Sequence, residues 1–79
     1  VCVAGSRLYA EKKIFDQVVA GVSDFAKKIK VGSGMEPGTQ MGPVVSTTQF
    51  ERVNKMIEAG LAEGATIATG GKPMSQDGY

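Results

Sequence analysis

Histidine and tryptophan are absent from this sequence of 79 residues, and cysteine occurs once, at position 2. Without histidine no Ser-His-Asp relay can be assembled, and one thiol with no imidazole cannot build a zinc cluster. A lone cysteine also forms no internal disulfide. Excess charge of either sign is missing too. Nine basic against eight acidic side chains leave a formal charge of +1, which makes no electrostatic case for nucleic acid or an anionic membrane as partner. No apolar run approaches the roughly 20 residues that cross a bilayer, and no charged-then-apolar leader is visible. The expectation from these absences is a soluble chain of the cytoplasm that holds no metal.

Length limits what the chain can bury. Small domains bury proportionally less of their surface, so 79 residues promise a thin core. The chain opens at Val1 rather than at methionine and closes on "GGKPMSQDGY", a run of turn formers. A segment of a longer protein is therefore expected.

Turning to what is present, "SRLYAE" sets Leu8 and Ala10 on one side and Arg7, Tyr9 and Glu11 on the other. This period of two predicts a short strand over 6–11. Ile14, Phe15, Val18, Val19, Val22, Phe25, Ala26 and Ile29 then recur at three- and four-residue steps, which predicts an amphipathic helix from about Lys12 to Lys30. Lys27, Lys28 and Lys30 complement the negative end of its dipole, and Gly32 is expected to stop it. The stretch "VGSGMEPGTQMGPVV" has too many Gly and Pro residues for regular structure. Ser46 and Gln49 form a capping-box pattern, opening a second helix with Phe50, Val53, Met56, Ile57 and Leu61 on one face. Gly64 stands where a left-handed C-terminal residue is wanted. A β-prone run, Ala65 to Thr69, follows and ends at Gly70 and Gly71. Strand, helix, loop, helix, strand is an order that predicts an α/β fold.

Several features invite chemistry. "GSGMEPG" starts like a phosphate-binding glycine loop, but its third glycine falls one position late, it follows a helix, and Pro37 removes an amide from the cradle. A connecting loop is the better reading. Glu51, Glu58, Glu63, Asp16 and Asp24 fall away from the apolar stripes, so a solvated face is expected rather than acid–base work. Met35, Met41, Met56 and Met74 are scattered and read as gap fillers. Cys2, among Val1, Val3, Ala4 and Gly5, reads from its context first as an inert small buried thiol, with a nucleophile as the alternative.

"VCVAGSRLYAEKKIFDQVV" resembles the segment around the catalytic cysteine of the NAD(P)-dependent aldehyde dehydrogenases. In that family a cysteine is followed by small residues, an arginine opening a strand, a charged turn and an amphipathic helix. "KVGSGMEPGTQMGPVVSTTQFERVNKMIEAGLAEGATIATGG" is similar to the family's next stretch, with its Met-Gly-Pro turn, its helix start and its Glu-Gly-Ala approach to a Gly-Gly turn. The likeness covers essentially the whole chain.

The resemblance implies that Cys2 is the nucleophile, that its backbone amide helps to hold the oxyanion, and that Val1 and Val3 line the aldehyde tunnel. Apolar β-branched walls would suit an aldehyde with an apolar body. It further implies that residues 1–79 are part of a nucleophile-bearing catalytic domain within a homodimer or homotetramer. NAD or NADP would be bound elsewhere in the protein, because the family's general-base glutamate, oxyanion asparagine and dinucleotide domain lie upstream. The ribose-gripping Glu-x-Phe-Gly-Pro motif lies downstream, and the Gly-Gln pair that usually precedes the cysteine is missing. Two rivals stand beside this reading: a CoA-acylating semialdehyde dehydrogenase of the same superfamily, and a non-catalytic module whose apolar helix faces dock a partner while Cys2 stays inert. With the cofactor site and general base both outside it, the isolated chain is expected to oxidise no aldehyde. NAD reduction above background with a panel of aldehydes would contradict this.

Overall fold

The structure, a computed structural model, describes residues 3–74. A single 3-10 turn, Lys12–Ile14, leads into α1 (Phe15–Lys28), and a long loop connects α1 to α2 (Thr47–Ala62). The turn is closed by the Ile14 N–H donating to Glu11 O at 3.0 Å. Lys27 and Lys28 occupy the last turn of α1, where cations meet the partial negative charge of unsatisfied carbonyls.

α1 ends two residues sooner than its apolar period predicts. Ile29 turns to extended backbone (φ −70°, ψ 122°), and Lys30 is taken up by pairing with a segment ten residues on. Lys30 O accepts from the Gln40 and Met41 N–H groups at 2.8 and 3.2 Å, and Gly32 N–H donates to Met41 O at 3.0 Å. The Gln40 side chain completes the clasp, its Oε1 accepting from Lys30 N–H at 2.9 Å. Val31 and Met41 thereby form an isolated parallel bridge. Gly32, expected to stop the helix, lies beyond its end, since the chain has already turned extended at Ile29, and its φ is not positive. It is instead buried within this clasp. A Cβ there would sit 3.1 Å from Thr39 Oγ1, so a methyl group would have to displace that hydroxyl.

α2 follows local rules closely. Ser46 is extended (φ −160°, ψ 162°) and its side chain accepts from Gln49 N–H at 3.1 Å, satisfying one of the donors a helix start leaves orphaned. At the other end Gly64 adopts φ 102°. Its N–H donates to Leu61 O at 3.1 Å, while Ala65 N–H reaches back to Gly60 O at 2.9 Å. Those two bonds make a Schellman close, which requires the left-handed backbone that glycine reaches without a Cβ clash.

Each helix turns its apolar side onto neighbouring loop chain. Phe15, Val18 and Val22 of α1 border a groove of about 300 Å³ together with Leu8, Ala10, Ala68 and Thr69. Phe50, Val53 and Ile57 of α2 border another of about 260 Å³ with Val31, Met41, Pro43 and Met74. No Cα of α1 lies within 8 Å of one in α2. Among the described residues no hydrophobic side chain is buried. The accessible area is 7204 Å², against about 4,500 Å² for a folded monomer of this mass. The radius of gyration is 14.5 Å, against about 12 Å for a compact chain of this length.

The predicted order of strand, helix, loop, helix, strand is corrected at both ends. Among the described residues there is no strand: 6–11 and 65–69 are irregular. A strand exists only when its N–H and C=O groups find a ladder partner, and the sole pairing among the described residues is the bridge at Val31. The α/β class therefore rests on pairing that these residues do not supply to one another.

Three outcomes follow for the isolated chain and its parent. Without a buried core, the 79-residue chain is expected to lose helicity gradually on heating, and a sharp cooperative transition in a monomeric sample would contradict this. Ser46→Ala is expected to weaken α2 by about 1 kcal/mol, read as lower helicity by circular dichroism. Gln40→Ala removes the side-chain acceptor of Lys30, so hydrogen exchange at the Lys30 amide in the full-length protein is expected to quicken by roughly fivefold, with unchanged exchange as the contrary result.

Candidate functional site

Two of the three residues picked out from the sequence, Cys2 and Val1, lie outside the described residues. The third, Val3, sits in a turn with its side chain 88% exposed. From Ala4 onward the chain runs without regular structure as far as the turn before α1. Leu8 and Ala10 border a groove on the apolar face of α1. This irregular stretch leads at its far end into the 3-10 turn and α1. Its near end carries only small side chains, Ala4, Gly5 and Ser6, all exposed. A Cβ built at Gly5 meets nothing within 4 Å, so the approach along this backbone is open.

The titratable side chains of the described residues lie at the surface. Every Asp, Glu, Lys, Arg and Tyr among the described residues is exposed. None is enclosed in the low-dielectric setting that tunes an acid or base. Glu51, Glu58, Glu63, Asp16 and Asp24 all face solvent, as their helix positions predict. No three His, Cys, Asp or Glu residues among those described stand close enough to hold a metal ion. No described helix is long and apolar enough to cross a membrane.

The glycine loop is occupied with its own hydrogen bonds. Met35 N–H donates to Ser33 Oγ at 3.1 Å. Glu36 N–H donates to Ser33 O at 3.1 Å and Thr39 N–H to Glu36 O at 3.2 Å. These amides close turns instead of lining an anion cradle. At the start of α2 the Gln49 amide is likewise committed to Ser46. Sequence reasoning misses one feature of this loop, the clasp between Lys30 and Gln40. Thr39 Oγ1 is enclosed within it and has no hydrogen-bond partner. A pairing between residues ten apart in a stretch rich in Gly and Pro carries no periodic signal that could announce it.

Comparison with known proteins gives this arrangement a context. A family model described as the aldehyde dehydrogenase family matches residues 1–79. A mitochondrial aldehyde dehydrogenase of Leishmania tarentolae is 44% identical over 79 residues, covering 100% of this chain and 16% of that protein. A betaine aldehyde dehydrogenase of Bacillus subtilis is 43% identical over 83 residues, covering 100% of this chain and 17% of that protein. Among solved structures, an aldehyde dehydrogenase of Bacillus cereus in complex with NAD+ superposes with a TM-score of 0.94 at 46% identity, over 100% of this chain and 16% of that one. A double mutant of a Staphylococcus aureus betaine aldehyde dehydrogenase, in complex with NAD+ and carrying a BME-modified cysteine, gives 0.91 at 43% identity, over 98% and 16%. The chain thus spans about one sixth of the length of these relatives.

Proposed function

The chain belongs to the aldehyde dehydrogenase family, and from that premise we propose that it is the nucleophile-bearing part of the catalytic domain of an enzyme that oxidises an aldehyde to a carboxylic acid with NAD(P)+ as oxidant. The family match over residues 1–79, Cys2 included, is the observation that carries this reading. The NAD+ present in the B. cereus and S. aureus structures supports the choice of oxidant, and the modified cysteine in the latter supports a reactive thiol.

In this reading the Cys2 thiolate adds to the aldehyde carbon. The carbon–sulfur bond forms as the carbonyl π pair moves onto oxygen, and the resulting negative charge is held by the Cys2 backbone N–H. The glycine loop makes a poor phosphate cradle, since its Met35, Glu36 and Thr39 amides close turns of their own. The oxidant's site in this reading belongs to the rest of the protein, as does a general base. As the oxyanion reforms the carbonyl, the carbon would lose its hydride, for which NAD(P)+ would be the acceptor, leaving the thioester. Attack by water then breaks the carbon–sulfur bond, frees the acid and returns the thiolate. Ala4, Gly5 and Ser6 keep the backbone beside Cys2 accessible for this chemistry. Val1 and Val3 would line the aldehyde tunnel, and the exposure of Val3 leaves it free to do so.

The same reading restores the sheet. Leu8 and Ala10 from one strand candidate and Ala68 and Thr69 from the other border one face of α1. Two segments beside one helix face would become strands of an α/β layer if further strands of the complete protein supplied the ladder. The complete protein would be a homodimer or homotetramer.

In the full-length protein Cys2→Ser is expected to lower aldehyde oxidation by roughly a thousandfold or more, with NAD+ binding retained in a titration. Unchanged turnover would overturn the role given to Cys2. If the wild-type product in the presence of CoA is an acyl-CoA rather than the free acid, the enzyme is instead a CoA-acylating member of the superfamily.

A further inference from the structure

We draw no further inference here: the strongest candidate, the apolar groove on α1 bordered by Leu8, Ala10, Phe15, Val22 and Ala68, carries nothing, because nothing in the structure shows what covers it.

Discussion

An apolar helix face left in water loses the largest favourable contribution to folding, about 25 cal/mol for each Å² that could have been covered. α1 and α2 each carry such a face. Phe25 remains 70% exposed and Met56 likewise 70%, and the helices do not approach one another. Everything else about the structure follows from that gap. The grooves on the two helices are only partly filled by loop residues, and the extended segments that border α1 lie unpaired. A chain in this state keeps its shape only where local hydrogen bonds dictate it, or where a larger body supplies the missing walls. The close superposition of this open conformation on much longer chains of the same family supports the second of these.

Local features were legible in the sequence because they need no distant partner. Ser46, Gln49 and Gly64 mark the ends of α2, and the structure uses Ser46 and Gly64 as a cap and a left-handed close. The apolar spacing of Phe15, Val18, Val19 and Val22 placed α1 with equal directness. Strands are another matter. The alternation over 6–11 describes which side chains share a face, but hydrogen-bonding partners decide whether a strand exists, and those partners are not local. Gly32 shows a related misreading. Its position after a lysine-rich turn invites a helix-stop interpretation, yet the chain had already left the helix at Ile29. The glycine's value is its lack of a side chain beside Thr39.

Cys2 was the least legible residue of all. Its neighbours, Val1, Val3, Ala4 and Gly5, read by themselves as the setting of an inert buried thiol, although a substrate-facing nucleophile also calls for small or apolar surroundings. The proposal that Cys2 is a nucleophile rests on the family match over residues 1–79, not on its neighbours. The chemistry is accordingly divided. In the proposed reading this segment would provide the sulfur, one backbone donor and the tunnel wall at Val1 and Val3. On that proposal the oxidant and the base would come from other parts of the protein.

The central claim is that Cys2 works as a thiolate, and its alkylation rate tests this most directly. Iodoacetamide labelling of the full-length protein across pH, with and without NAD+, should be followed alongside loss of aldehyde oxidation. Fast labelling at neutral pH, well below the ordinary thiol value of about 8.5, with activity falling in step, is the expected result. Slow labelling with activity retained at full modification would contradict it and return Cys2 to the part of an inert thiol.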